Sequence, residues 1–312
     1  MSCSAPEHAP DERYFLVASN IKVAYWQAVK NGFMKLAAQY RVKAEVVGPD
    51  TYDPQAELSE FQRVARTKPA GILVSAADPE LMKGAIDSAI DSGVPVMTID
   101  SDAPGSKRLT FIGTNNYAAG QLGARELVKR SNGKGNFVVF TMPGQENLVE
   151  RLKGYKDVLS DHPAMKIQDV VDFKGDPRVA FDTANDLMTK KKGQVDGFIC
   201  LEALAGQEVA DVLSRGNITG KIVMAMDTND ETLNYIKKGG IAATVAQKPF
   251  TMAYVGLEML DLVHHHMPKS LSGDWAQDPF SIYPNLIDTG ATLVTKDNVD
   301  QFLKSREASK QQ

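Results

Sequence analysis

From Tyr14 onward, short apolar runs alternate with longer segments in which apolar residues recur at three- and four-residue spacing. Tyr14-Phe15-Leu16-Val17-Ala18 is continuously apolar, as in a strand buried on both faces. The next segment places Trp26, Val29, Phe33, Leu36, Ala37 and Tyr40 on one face of a helix, with Tyr25 off that stripe at the helix start. The unit then repeats. Residues 44–47, 71–74, 94–99 and 109–112 read as strands, and Asp53-Pro54 and Asp78-Pro79 each supply a capping carboxylate and a first-turn proline for a helix between them. A second series begins near Asn115, with strands at 137–141, 167–171, 197–201, 222–226 and 242–246. Helices are expected between them at 117–130, 147–159, 178–190, 204–214 and 229–238. Strands separated by helices imply right-handed crossovers and parallel sheets covered on both faces.

There are too many strands for one tidy sheet. The expected fold is therefore α/β, with two doubly wound parallel-sheet lobes joined by short hinge strands and facing one another across a cleft. A long helix at 251–266 is expected to pack through Val255, Leu257, Met259, Leu262 and Val263. A Pro/Gly/Ser-rich passage (268–284), a short strand (291–294) and a terminal helix near Asp297 follow.

Composition narrows the function. With 43% hydrophobic residues and a net charge of −4, the chain is ordinary for a globular protein and lacks the basic face a nucleic-acid partner requires. No apolar stretch has the length of a transmembrane helix. Of two cysteines, Cys200 ends an apolar run and reads as a small buried hydrophobe. Cys3 reads either as a free thiol on a tail or as the lipid-bearing first residue of a processed chain. No charged n-region or apolar h-region of a signal peptide is visible ahead of it.

In open α/β sheets, ligands bind beyond the carboxyl ends of the strands. Asn20, Asp100-Ser101-Asp102, Thr114-Asn115-Asn116, Glu202, Asp227 and Gln247 all stand just after strands, and Arg151 lies in the helix following 137–141. Carboxylates and carboxamides accept from and donate to hydroxyls, and an aromatic face covers the C–H side of a sugar ring. Each residue also has a plainer reading. Asp100 and Asp227 fit turns or helix caps, Glu150-Arg151 fits a solvated pair, and Trp26 fits the core. Glu202, directly after an apolar strand, needs a partner or a shifted pKa.

Other motifs fail. Gly216-Asn217-Ile218-Thr219-Gly220-Lys221 is one residue short of a phosphate loop and precedes a strand. His264-His265-His266 cannot share one helical face. No nucleophile elbow or metalloprotease pattern occurs, so no enzyme activity, cofactor or metal is expected.

Several stretches taken together carry a resemblance. They are Asn20 with Ala24-Tyr25-Trp26-Gln27, Val94-Pro95-Val96-Met97-Thr98-Ile99-Asp100, and Ile112-Gly113-Thr114-Asn115-Asn116-Tyr117. Glu150-Arg151-Leu152-Lys153-Gly154-Tyr155, Met226-Asp227 and Ala243-Thr244-Val245-Ala246-Gln247-Lys248-Pro249 complete the set. In this order they resemble the type I periplasmic sugar-binding proteins of ABC transporters, the ribose-binding-protein group, over nearly the whole chain. The resemblance implies that Tyr25 and Trp26 sandwich a sugar and Asp100 binds its hydroxyls from the first lobe. Arg151, Asp227 and Gln247 would grip it from the second. Hinge crossings are implied near Thr114, Gln247 and Ser281. These divide the chain into a tail (1–12), a first lobe (13–114 plus 249–281), a second lobe (115–247 plus 282–304) and a frayed end (305–312).

The chain departs from that group in three places. Ser101-Asp102 stands where Arg often follows the aspartate, Glu202-Ala203 replaces an Asn-Asp pair, and Asp176 replaces an aromatic or polar lining residue. With Asn20 and Asn115 completing the expected lining, the cleft reads as acidic: Asp100, Asp102, Asp176, Glu202 and Asp227 face Arg151. That favours a monosaccharide, polyol or amine-bearing sugar over plain ribose. The resemblance further implies lobe closure around the ligand, an ABC permease in the inner membrane as partner, an extracytoplasmic location and a monomer. The competing reading is the effector-binding core of a Lac-repressor-type regulator without its DNA-binding headpiece.

Overall fold

The computed structural model describes residues 8, 9, 11–191, 193–271, 273, 275 and 278–309. Cys3 lies outside the described residues. In chain order the elements are β1 (Arg13–Val17), α1 (Ala24–Tyr40), β2 (Lys43–Val47), α2 (Pro54–Ala65), β3 (Gly71–Val74), α3 (Pro79–Asp91), β4 (Val96–Ile99) and β5 (Phe111–Gly113). They continue with α4 (Asn116–Ser131), β6 (Gly135–Thr141), α5 (Glu146–Ser160), β7 (Met165–Asp172), α6 (Pro177–Lys190), β8 (Gly197–Cys200) and α7 (Ala205–Arg215). The last are β9 (Ile222–Met226), α8 (Asp230–Lys238), β10 (Ala243–Ala246), α9 (Pro249–His265), β11 (Leu286–Asp288), β12 (Thr292–Thr295) and α10 (Val299–Ser309).

The chain divides into two compact units. The first comprises Met1–Thr114, Gly144–Asn147 and Lys248–Gly290; the second comprises Asn115–Pro143, Leu148–Gln247 and Ala291–Gln312.

In the first unit the strands run β11-β5-β4-β3-β1-β2, every pairing parallel. β3 and β4 are buried at every position, which is why their sequences lack polar alternation. α1 packs against α9, and α2 against α3. Both pairs reach the sheet through an apolar cluster that includes Phe15, Phe33, Phe61, Leu73, Leu257 and Leu260. The two expected Asp-Pro openings form as read. Asp53 accepts from the Gln55 and Ala56 amides, and Asp78 accepts from the Leu81 amide.

In the second unit the order is β12-β10-β9-β8-β6-β7, parallel except for the antiparallel β10–β12 pair. Taken one at a time, the two sheets share one winding: β4 corresponds to β9, and β1–α1 corresponds to β6–α5. α4 and α5 meet at backbone distance. A Cβ on Gly120 would stand 2.1 Å from the Arg151 carbonyl oxygen, and one on Gly154 would stand 2.2 Å from that of Tyr117.

Four details differ from the sequence reading. β11 pairs with β5, so the third crossing follows Gly290 rather than lying near Ser281. Its three residues are only half-buried or exposed and carry no apolar run to announce a strand. In the expected tail, Glu12 is 8% exposed, and its carbonyl oxygen accepts from the Lys43 amide. Leu262 is 50% exposed, because the buried face of α9 is Met252, Ala253, Gly256, Leu257, Leu260 and Val263 with Asp261 among them. The C-terminal helix runs on to Ser309, past the expected onset of fraying.

Candidate functional site

Parallel strands place all their carboxyl ends on one edge of each sheet, and the side chains there fall into two groups.

In the first unit, Asp100 follows β4 directly. Its φ is +66°, and the Ser101 amide donates back to the Ile99 carbonyl at 2.7 Å, closing a three-residue turn. A non-glycine residue held at positive φ costs roughly 1–3 kcal/mol, and such strain concentrates at functional positions. Aspartate tolerates this conformation better than most residues. The Tyr25 hydroxyl donates to Asp100 Oδ1 at 2.7 Å. Trp26, 4% exposed, belongs to the apolar cluster and meets the Tyr25 ring edge-on, with centroids 5.5 Å apart. The tryptophan thus braces the tyrosine from the core side. Asn20, after β1, accepts from the Lys22 amide at 3.0 Å and shapes that turn.

In the second unit, Asp227 follows β9 with the same φ of +66°. Its amide donates to Val245, and its carbonyl accepts from Thr244 Oγ1 at 2.7 Å. Gln247 Nε2 donates to Asp227 Oδ1 at 2.9 Å, and Gln247 Oε1 accepts from Arg151 Nη2 at 2.9 Å. Arg151, 2% exposed, also donates to Asn116 Oδ1 at 2.9 Å and to the Leu201 carbonyl at 2.8 Å. The structure brings the expected Arg151, Asp227 and Gln247 together and adds Asn116 to them. That residue sits in the quoted Asn115-Asn116 pair, and only its neighbour was singled out. Asn115 itself caps α4 by accepting from the Ala118 amide at 3.0 Å.

Three expected lining carboxylates are engaged in their own units. Asp102 accepts from Thr98 Oγ1 and the Ala103 amide, and it forms a two-pronged pair with Arg108 at 2.8 and 2.6 Å. Arg108 was not recognised because it stands six residues away across an irregular loop. Asp176 caps α6 and pairs with Arg178 at 3.0 Å, which holds its carboxyl below the usual range. Glu202 accepts from the Leu204 and Ala205 amides at 2.7 and 2.8 Å, stabilising the start of α7. The acidic surplus inferred from sequence is therefore largely neutralised by local partners.

Burial pushes the Glu202 carboxyl from 4.5 up to about 7; the two amides oppose the shift, and Asp227 adds to it. A folded-state pKa above the unfolded value means that the stability contributed by the protonated form is complete below about pH 4.5 and lost as pH rises to about 7. Across that window the loss approaches about 3 kcal/mol. Glu202→Gln keeps an acceptor for both amides, so its denaturant midpoint should vary less between pH 5 and pH 8 than that of the parent. An unchanged pH profile would refute this assignment.

Residues 14–264 match the model of the periplasmic binding protein domain. The ribose import binding protein RbsB of Bacillus subtilis is 26% identical over 270 residues, covering 83% of this chain and 85% of that protein. The D-apiose import binding protein of Paraburkholderia graminis is 26% identical over 255 residues, covering 78% and 81%. Among solved structures, the arabinose-binding protein AraP of Geobacillus stearothermophilus is 35% identical with a TM-score of 0.76, covering 94% of this chain and 99% of that one. A solute-binding protein from Burkholderia graminis in complex with D-arabinose is 26% identical with a TM-score of 0.84, covering 94% and 98%. These relatives are binding proteins rather than enzymes. With its two doubly wound units and the match over most of its length, the chain belongs to the periplasmic binding protein family.

Proposed function

We propose that this protein is the solute-binding component of an ABC sugar importer and holds a neutral monosaccharide or polyol through its strand-end groups. The observation carrying this reading is the matched pair of aspartates, Asp100 and Asp227. Both stand after corresponding strands at φ +66°, and each is oriented by a polar side chain. Each carboxylate is built to accept from adjacent hydroxyls. Arg151, Asn116 and Gln247 supply the donors, and Tyr25 the ring face. Import binding proteins of ribose and apiose among the relatives support this reading over the regulator core. An amine on the ligand is not required, because Asp102 and Asp176 already have cationic partners. An extracytoplasmic location, delivery to an inner-membrane permease and a monomeric state complete the proposal. Among the described residues, no helix is long and apolar enough to cross a membrane.

A ligand that binds only the native state stabilises it by about 2.7 kcal/mol at a hundredfold excess over Kd. Thermal-shift measurements with pentoses, hexoses, pentitols and amino sugars should show a dose-dependent rise for a neutral sugar or polyol. A flat response across the neutral compounds would sink the proposal. If Asp100→Asn and Asp227→Asn each weaken the response to the same sugar, both units serve one ligand.

A further inference from the structure

The segment preceding β1 and the last turns of α9 bring four metal-ligating side chains together in the first unit. His8, Glu12, Asp261 and His265 each offer a ligand atom, all within 4.8 Å of one another. His8 Nε2 lies 3.0 Å from Asp261 Oδ1, and His265 Nε2 lies 3.4 Å from Glu12 Oε2 and 3.5 Å from Asp261 Oδ1. A tetrahedral ion with bonds of about 2.0–2.2 Å sets its ligand atoms roughly 3.3–3.5 Å apart, so these separations are already close to those of a coordinated set.

A second observation points to an occupant. Glu12 Oε2 and His265 Nε2 are buried and make no hydrogen bond among the described residues; they meet only at the ion-pair distances just given, inside the cluster. Glu12 is 8% exposed and Asp261 5%. Leaving a buried polar atom unsatisfied costs about 1–3 kcal/mol, a cost that metal coordination removes. The surrounding shell is also built. Tyr14 donates to Asp261 Oδ1 at 2.9 Å, and the Ala9 amide donates to Glu12 Oε1. Outer hydrogen bonds of this kind orient the ligating carboxylates.

The histidine run at 264–266 is thus used in part. Its members do not share a face, and His265 alone joins the cluster, one turn beyond Asp261, with the other two ligands supplied by residues 8 and 12. We propose that His8, Glu12, Asp261 and His265 form a transition-metal site of the zinc type that staples the N-terminal segment to α9. Two imidazoles and two carboxylates suit Zn²⁺ better than the all-oxygen ions Ca²⁺ or Mg²⁺. The site lies at the amino-terminal edge of the first sheet, the end opposite Asp100, and is therefore separate from the strand-end groups.

The test uses the full chain without a histidine tag, stripped with chelator and titrated calorimetrically with Zn²⁺ alone. One ion per chain and a zinc-dependent rise in Tm are expected. His8→Gln and His265→Gln should each weaken binding at least tenfold, while His264→Gln and His266→Gln leave it unchanged. His8 lies on the segment ahead of the first strand, so its variant is expected to fold. Bound Co²⁺ should give the visible absorption of tetrahedral coordination, lost in His265→Gln. The absence of saturable zinc binding, or binding of equal strength in the His8 and His265 variants, would overturn the proposal.

Discussion

Asp227→Asn is expected to weaken binding of the transported sugar by roughly 10- to 100-fold, while the Tm of the unliganded protein stays close to that of the parent. The backbone at this position has φ +66°, which asparagine adopts readily, so the turn after β9 should survive. Asparagine also keeps an oxygen to accept from Gln247 Nε2, so the chain of bonds from Arg151 through Gln247 persists. What is lost is the carboxylate. Its charge-assisted hydrogen bonds to sugar hydroxyls contribute about 1.5–3 kcal/mol each relative to water. Asp227→Ala should be worse on both counts, since it loses the acceptor and places alanine at positive φ. Isothermal titration with the sugar found by screening, paired with thermal melts of the free protein, separates the two effects. Undiminished affinity in both variants would remove Asp227 from the binding surface.

The largest expected change in stability follows from Arg108→Ala. Arg108 is 3% exposed and binds both oxygens of Asp102 as well as the Asn285 carbonyl and side chain. Removing it leaves Asp102 as a buried charge without its counter-ion, a change that costs about 3–5 kcal/mol. For a protein of this size that corresponds to a fall in Tm on the order of 10 °C. The double change Asp102→Ala with Arg108→Ala should cost less than the sum of the single changes, because it removes both halves of one pair. Additive losses would mean that the pair is not the source of the effect. The contact to Asn285 gives the variant a further consequence. Asn285 directly precedes β11, so loosening of the passage between α9 and β11 should accompany the loss of stability.

The fold was largely legible because buried parallel strands and amphipathic helices carry different periodicities, and the Asp-Pro openings mark helix starts explicitly. β11 was missed for a physical reason: an edge strand of three half-exposed residues needs no apolar pattern. Asp227 and Gln247 could be singled out from their places after strands, and Arg151 from the helix that follows one; Gln247 links the other two through hydrogen bonds. Asp102 and Glu202 were equally well placed by that rule, and Asp176 was expected from the family resemblance, yet their partners came from elsewhere. Arg108 reaches Asp102 across a loop, Arg178 lies on the helix Asp176 caps, and the amides of α7 face Glu202. Strand-end position shows where a carboxylate stands; whether it is already satisfied depends on three-dimensional partners that spacing does not encode.

The late return of the chain to its first unit also constrains the order of assembly during synthesis. α9 supplies Met252, Ala253, Leu257, Leu260 and Val263 to the apolar cluster that includes Phe15, Ile72 and Leu73. Until those residues have left the ribosome, β3, β4 and β5 lack the helix that covers one of their faces. A nascent chain stalled at Gln247 should therefore display exposed apolar surface and bind chaperones or a hydrophobic dye. Release of a further stretch through His265 should abolish that signal in a single cooperative step.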